Sequence, residues 1–465
     1  MKKRVIFIVV TALLCCLLVA CGSKTRLQAP QNIRQNGPFL IWDEVKNAEG
    51  YIVLADNEEY VTAEPSCNLS FLGGETVYVV KIKAVGDGEN FADSDWSEFG
   101  FNEIFKYTLL ADGSGYEVNL SVSSVELQDR KVVVPSTYEN LPVTRIAEEM
   151  FYKCASLTEV VLPNTLKEIG ANAFYNCKAL TSIDLPSSVT AIGSGAFSGC
   201  SSLKKLIVPT GIEQIENLTF EGCTSLTEIV LPNTLKEIGV DAFYNCKALT
   251  SIELPESVTA IGPSAFMHCS SLKKIVVPTG IERIESNMFN DCTSLTEVVL
   301  PSMLKEIRGM AFFGCIALEN IELPASVTAI GSIAFGGCSS LKKIVVPTGV
   351  ERIEGSTFVG CSNLTEVVLP STLKEIMGMA FRKCEALKTV VLPSSLEDIG
   401  KDAFYMCPLE SVFFDGTEAE FLSVSVAEGN DSILNAAVYF YSETEPTENP
   451  QKFWRFSGGK PLPWA

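Results

Sequence analysis

The stretch LPNTLKEIGANAFYNCKALTSIDLP begins at Leu162, and LPNTLKEIGVDAFYNCKALTSIELP begins at Leu231. Only three of these 25 positions differ between the two copies. Around them, twelve cysteines recur with a 23-residue period between Cys154 and Cys407, and a phenylalanine stands three residues before each cysteine. A fixed period of this size predicts a solenoid, in which each repeat forms one coil.

Each repeat reads L-x-x-V-x-L-P-x-x-L-x-x-I-x-x-x-A-F-x-x-C-x-x-L. Apolar residues alternate around Val160 and predict a short strand, which Pro163 ends because proline cannot donate to a ladder. A second extended piece is expected over residues 166–169, and the spacing of Phe174 and Cys177 suits a turn of helix. One coil has too few apolar groups to fold alone, so stacked coils must share a continuous core.

This pattern resembles the BspA-type leucine-rich repeat family of bacterial surface proteins, over residues 132–414. The period, the proline, the phenylalanine and the cysteine all agree. The resemblance implies adhesion, or binding of a protein or cell-surface ligand. The first repeat departs from the pattern, because the step from Pro135 to Pro163 is longer than the regular step between the later prolines. Residues 137–141 are therefore expected to add a loop.

Exposed positions follow a longer period than the core positions. The pentapeptide VTAIG begins at Val189, Val258 and Val327, which defines a 69-residue cycle of three coils. The outward strand positions cycle in the same way and supply a candidate binding face: Asp184, Lys205, Glu253, Lys274, Glu322 and Lys343. Two interpretations stay open, namely a binding surface for a large or repetitive partner and a record of duplication with charge pairing between coils.

The composition restricts the class of partner and of chemistry. The chain of 465 residues carries a formal net charge of −20, which argues against a nucleic-acid partner because phosphate binding needs clustered Lys and Arg. No HExxH motif, nucleophile elbow or P-loop is present. The sequence therefore predicts a protein that is not an enzyme and that uses no metal and no cofactor.

The cysteines and the single histidine fit this interpretation. The periodic cysteines share the register of Phe and Leu, so we expect them to point inward as a reduced, buried ladder. His268 precedes Cys269, which raises the possibility of a Cys–His nucleophile. Other repeats carry Asn, Gly or Asp at the position of His268, so it is an outer position, and the two side chains should point apart.

The N-terminus predicts export and lipidation. Residues 1–20 combine a basic start with an apolar run and are expected to form a signal peptide. The tetrad Leu-Val-Ala-Cys that ends at Cys21 resembles the bacterial lipobox, which implies diacylglycerol on the Cys21 sulfur and anchoring to the membrane. Residues 21–26 would be the tether. A plain signal peptide and a transmembrane anchor are the alternatives.

The remaining segments flank the repeats. Residues 27–102 read as short alternating strands and resemble a fibronectin type III β-sandwich, as a spacer. Residues 103–131, with a hairpin at Asp112-Gly113, are expected to cap the solenoid of residues 132–414, and residues 415–465 to form the other cap and a tail. Trp454 and Trp464 have two interpretations, sugar binding and packing onto the last coil.

Together these features predict a mainly β protein, with an N-terminal fibronectin III-like β-sandwich followed by a leucine-rich repeat solenoid of 23-residue coils. The predicted function is that of a lipid-anchored surface protein that binds a protein or cell-surface ligand. A structural envelope scaffold without a specific ligand is the alternative.

Overall fold

The computed structural model describes residues 24–36, 39–55, 58–68, 79–100, 105–121, 131–457 and 460–464. The predicted signal peptide and Cys21 lie outside these residues. Contacts divide the chain into two units, Met1–Phe99 and Gly100–Ala465. The described residues are mainly β and include only two short α-helices, Glu418–Ser423 and Asp431–Asn435. Neither helix is long or apolar enough to cross a membrane.

The N-terminal unit contains two principal sheets. One has three strands and the other four, and a short parallel pair joins Thr25–Arg26 to Phe91–Ala92. The rings of Trp42 and Tyr51 meet edge to face at 5.2 Å within a buried apolar core. The fibronectin type III resemblance of this unit stays a prediction. The strands of the two sheets are Arg34–Asn36, Phe39–Ile41 and Ser66–Asn68, then Glu58–Thr62, Gly50–Ala55, Val79–Val85 and Ser97–Gly100.

The second unit is a solenoid whose coils contribute short strands to two parallel ladders. The first ladder comprises Lys131–Val133, Glu159–Val161, Lys205–Ile207, Glu228–Val230, Lys274–Val276, Glu297–Val299, Lys343–Val345, Glu366–Val368, Thr389–Pro393, Ser411–Asp415 and Ala437–Tyr441. The second ladder comprises Leu141–Ile146, Glu168–Ile169, Ala191–Ile192, Gln214–Ile215, Glu237–Ile238, Ala260–Ile261, Arg283–Ile284, Glu306–Ile307, Ala329–Ile330, Arg352–Ile353, Glu375–Ile376, Asp398–Ile399 and Ser425–Val426.

The third side of each coil consists of consecutive turns, and the prediction of a turn of helix there is wrong. Asn172 and Asn176 adopt left-handed φ angles of 54° and 56°, which a right-handed helix does not contain. Their N–H groups donate to the carbonyls of Ser194 and Ser198 in the next coil, at 2.9 and 2.7 Å. Bonds between coils therefore alternate with bonds that close single turns within a coil, such as Cys177 N–H to Phe174 O at 3.1 Å, and no continuous helix forms.

The core consists of aligned columns of identical side chains. Twelve phenylalanines, from Phe151 to Phe404, stack with 5.1–5.8 Å between successive ring centroids. The twelve periodic cysteines are buried with free thiols, as an inward ladder requires. From Cys177 onward each thiol donates to the phenylalanine carbonyl of the preceding coil, for example Phe151 O at 3.1 Å. The thiol thus gives a second hydrogen bond to a buried carbonyl that already accepts the cysteine N–H of its own coil, as Phe151 O does from Cys154.

The N-terminal end of the solenoid is extended by two hairpins. Phe105–Leu109 and Tyr116–Leu120 pair around Asp112-Gly113, as the sequence predicts, and the second of these strands continues the second ladder by pairing with Leu141–Ile146. The expected insertion at 137–141 is also a hairpin, because Thr137–Tyr138 pairs with the start of Leu141–Ile146.

The C-terminal end is closed by an antiparallel hairpin of Phe453–Ser457 and Lys460–Pro463, which extends the first ladder after the short 3-10 turn Pro450–Lys452. Trp454 is fully buried and its Nε1 donates to Phe414 O at 2.9 Å, so packing is the correct interpretation for this residue. Trp464 is half-buried, and the guanidinium of Arg455 lies 3.9 Å from its ring centroid.

Candidate functional site

The six predicted site residues all lie on the outward side of the first ladder, which we call the strand face. The structure separates them into two groups of different chemistry. The three lysines each pair with a glutamate one coil further along, with Nζ to carboxylate distances of 2.6–2.7 Å. These pairs are Lys205–Glu228, Lys274–Glu297 and Lys343–Glu366.

The lysine side chains are about half exposed, at 52%, 53% and 49%. Exposed ion pairs of this kind contribute little to stability, on the order of 0.2–1 kcal/mol each. Pairing nevertheless compensates each lysine charge within the protein. For the lysines, the structure therefore agrees with the interpretation of charge pairing between coils.

The three acidic residues, Asp184, Glu253 and Glu322, are exposed and differ from the lysines. Within the described part of the chain, none of them has a hydrogen bond or an ion pair. The residue two positions before each acid forms only an isolated β-bridge to the lysine of the next coil. These residues are Ser182, Ser251 and Asn320. The first ladder is interrupted before each acid, as expected where Asp or Glu replaces a β-branched residue.

Between these acids the strand face exposes pairs of β-branched residues. In the first instance Ile207 and Val230 are 58% and 45% exposed. The equivalent residues in the next two cycles are Val276 and Val299, then Val345 and Val368, all exposed. The strand face thus carries three patches, each with one acid, one Lys–Glu pair and two apolar side chains. Patch one is Asp184, Lys205, Glu228, Ile207 and Val230; patch two is Glu253, Lys274, Glu297, Val276 and Val299; patch three is Glu322, Lys343, Glu366, Val345 and Val368.

The second ladder is also interrupted once in each 69-residue block. The breaks follow Ala191–Ile192, Ala260–Ile261 and Ala329–Ile330. A cavity of about 660 Å³ opens at the third break and one of about 280 Å³ at the second. Arginines beside these cavities pair with neighbouring glutamates, as Arg308 does with Glu285 at 2.8 Å. Because these side chains already pair with one another, the cavities are weaker candidates than the strand face.

A further feature of the strand face was missed by sequence reasoning. The first ladder is interrupted again between Val368 and Val391, and a cavity of about 550 Å³ opens there. Its lining includes both valines, Phe413 and, from the C-terminal hairpin, Phe456 and Lys460. Two signals were present in the sequence: valine at position 391, where the 69-residue cycle places an acid, and the aromatic-rich stretch FWRF at residues 453–456.

The structure also decides the position of the single histidine. His268 has a φ of 61°, and its Nδ1 lies 3.4 Å from the Asp291 carboxylate. Cys269 is fully buried, and burial raises the pKa of its thiol to about 12, so it is not a thiolate at neutral pH. Among the described residues, no group of three or more His, Cys, Asp or Glu side chains is placed to hold a metal ion.

The left-handed backbone explains which residues precede each cysteine. This position has positive φ in all twelve repeats and is occupied by Lys153, Asn176, Gly199, Gly222, Asn245, His268, Asp291, Gly314, Gly337, Gly360, Lys383 and Met406. Gly, Asn and Asp adopt this conformation most readily. The histidine therefore occupies a turn position that varies among repeats.

Comparison with known proteins agrees with this architecture. A family model described as BspA type Leucine rich repeat region (6 copies) matches residues 134–225, 199–319 and 305–425, together more than half of the chain. A crystal structure of a leucine-rich repeat protein from Bacteroides ovatus is 29% identical, with a TM-score of 0.49, and the alignment covers 70% of this chain and 90% of that protein.

A leucine-rich cell surface protein from Faecalibacterium prausnitzii is 25% identical, with a TM-score of 0.43, and the alignment covers 71% of this chain and 98% of that protein. The pneumococcal vaccine antigen PcpA is 18% identical, with a TM-score of 0.40 and coverages of 70% and 96%. No curated protein matches the chain.

Proposed function

Because the chain belongs to the BspA-type leucine-rich repeat family, we propose that it is a bacterial surface protein that binds a protein or cell-surface ligand through its strand face. The observation that carries this proposal is the set of three patches, which expose apolar pairs beside unpaired acids at regular intervals. A solenoid offers such an extended face without any change to its core.

The proposal includes a lipid anchor at Cys21 on the extracellular side of a bacterial membrane. The lipobox-like tetrad after an apolar run supports it, with residues 27–102 as a spacer. A Cys21→Ala variant should lose its partition into detergent and its label from radioactive palmitate. Unchanged partition would instead support a transmembrane anchor.

The binding test uses the mature chain from residue 21 with Cys21→Ser, so that the protein stays soluble. It is applied to an array of matrix proteins, glycans and bacterial cells. A strand-face variant carries Lys205→Glu, Lys274→Glu and Lys343→Glu. This variant changes the net charge of each patch from −1 to −3, so binding of a strand-face ligand should change: an acidic ligand should be lost and a basic ligand should bind more tightly.

A matched control changes the same charge at the same 69-residue step but on the second ladder, with Lys167→Glu, Lys236→Glu and Lys305→Glu. These lysines are exposed and lie on the other side of the coils. A change of affinity in the strand-face variant alone, in either direction, supports the proposal. An equal change in both variants would show that only net charge matters, and unchanged affinity in both would place the ligand elsewhere.

A structural scaffold without a specific ligand is the second candidate, and the internal pairing of the three lysines favours it. Under this hypothesis, neither variant changes any interaction on the array. Both variants would also preserve the cellular phenotype of the unmodified protein.

A further inference from the structure

We propose that the three patches are equivalent sites that one extended, basic polypeptide occupies together, so that its affinity depends on the number of patches. This inference rests on the proposed function, because it concerns the same strand face. It adds the chemistry of the partner and the way in which the partner is held.

The first argument is the equivalence of the patches. Their Lys–Glu distances are nearly identical, at 2.7, 2.6 and 2.6 Å. Their second apolar residues, Val230, Val299 and Val368, are 45%, 44% and 42% exposed. Packing of the core requires a 23-residue period only, so this equivalence of the exposed side chains is not a consequence of the core. A ligand group that fits one patch is therefore expected to fit the other two, although Phe456 and Lys460 of the C-terminal hairpin lie beside Val368 of patch three.

The second argument is charge. Within each patch the ion pair is neutral and the acid is unpaired, so each patch carries one net negative charge. A second copy of this chain is a poor occupant, because its own acids and its net charge of −20 would repel the first copy. The unpaired carboxylates instead favour a partner with one cation per patch, while the valines and Ile207 favour apolar groups beside it.

The third argument is spacing. Three coils separate equivalent patches, and neighbouring strands of a ladder lie about 4.8 Å apart. Equivalent patches on the strand face therefore recur about every 14 Å, and an extended polypeptide spans this distance in about four residues. Side chains four residues apart project from the same face of an extended chain, so a partner with Lys or Arg at about every fourth residue, and apolar residues between, can contact all three patches. Binding at one patch then raises the effective concentration at the next.

The test uses synthetic peptides as probes. One peptide has three four-residue units, each with one Arg and two Val. A second has a single unit, and a third has the composition of the first with its arginines placed together. Calorimetry with the soluble mature chain should give about three sites for the single unit. The three-unit peptide should bind at least tenfold more tightly than both others, and less tightly at high salt.

Two variants change the number of patches by independent routes. Glu253→Gln removes the charge of patch two alone. Deletion of residues 209–277 removes one 69-residue block and joins Val208 to Pro278, which restores the local sequence VPTG and leaves two complete patches. Each variant should reduce affinity for the three-unit peptide about tenfold. Glu237→Gln, on the second ladder, should leave it unchanged.

Equal affinity for the one-unit and three-unit peptides would overturn the inference, as would unchanged affinity after both modifications. Absence of peptide binding would also overturn it. If the array still yields a ligand whose affinity only the strand-face variant changes, the proposed function stands and only the repetitive, basic partner is wrong. If the array yields no strand-face ligand either, both proposals fail.

Discussion

The interior and the strand face of the solenoid are built from the same coils but repeat with different periods. Inside, Phe, Cys and Leu follow the 23-residue period and form unbroken columns. Outside, the acids, lysines and apolar pairs follow the 69-residue cycle. The interior repeats at the shorter step because every coil packs against a coil of the same shape. The exposed side chains have no such constraint, so their regularity requires another cause.

The largest effect should come from alkaline pH, which acts on the buried thiols of the interior. Burial raises the pKa of ten ladder thiols, from Cys154, at about 11, to Cys361. Above about pH 9 the unfolded chain loses these protons while the folded chain keeps them. Stability is therefore fully present below about pH 8.5 and falls as pH rises, by up to about 1.4 kcal/mol per pH unit for each thiol.

Denaturant unfolding at pH 8, 9 and 10, with a reducing agent, measures this fall. Cys269→Ala combined with Cys292→Ala removes two thiols and should make the pH dependence shallower, even though the variant is less stable at pH 8. A denaturation midpoint that stays constant between pH 8 and 10 would contradict the buried, protonated ladder.

The next largest effect should be truncation of one ring in the phenylalanine column. Phe266 lies between Phe243 and Phe289, with ring centroids 5.3 and 5.8 Å away, and is fully buried. Phe266→Ala should lower the free energy of unfolding by about 3–5 kcal/mol, because it leaves a cavity inside a stack. Ile207→Ala on the strand face is the control and should cost less than about 0.5 kcal/mol. Similar losses in both variants would remove the distinction between interior and strand face.

The core could be predicted from sequence because residues that recur at a fixed step in stacked coils pack against their own equivalents in the two adjacent coils. Cys177 and Phe174 had to point inward once their 23-residue spacing was recognised. The turns were not predictable from that pattern, since the Phe–Cys spacing of three suits a helix as well as consecutive turns. The left-handed backbone at Asn172 and Asn176 decides between them, and its signal is the frequency of Gly, Asn and Asp before each cysteine.

The candidate site was only half predictable. Spacing identified the outward residues, but it could not show that Lys205 pairs with Glu228 whereas Asp184 stays unpaired. The pairing of Lys205 depends on the strand Glu228–Val230 lying beside Lys205–Ile207. The unpaired state of Asp184 depends on the interruption of the first ladder before it. The cavity beside Val391 depends on the C-terminal hairpin, whose position relative to the last coils follows from long-range pairing.

An intermediate effect should come from the turn position before each cysteine, which lies between interior and surface. Met406 has a φ of 61°, and Gly337 has a φ of 71° at the equivalent position. Met406→Gly should stabilise the protein by up to about 1 kcal/mol, because glycine adopts this conformation without a steric penalty.

At Gly337 an added Cβ meets only ordinary contacts, the nearest at 3.6 Å, so substitution there tests the backbone angle alone. Gly337→Ala should therefore destabilise the protein by about 1 kcal/mol. Thermal midpoints that move in the same direction would contradict this account of the turn.

The smallest effect should come from the ion pairs of the strand face. Lys274 and Glu297 lie 2.6 Å apart but are about half exposed, so solvent screens their attraction. A double-mutant cycle of Lys274→Ala and Glu297→Ala should give a coupling energy below about 1 kcal/mol, decreasing at high salt. A value of several kcal/mol would mean that the 69-residue cycle contributes substantially to folding, and the scaffold hypothesis would then explain the repeated surface. A small value would exclude a folding role for the patches and leave block duplication and selection for a ligand as their two explanations, which the binding test of the strand-face variant separates.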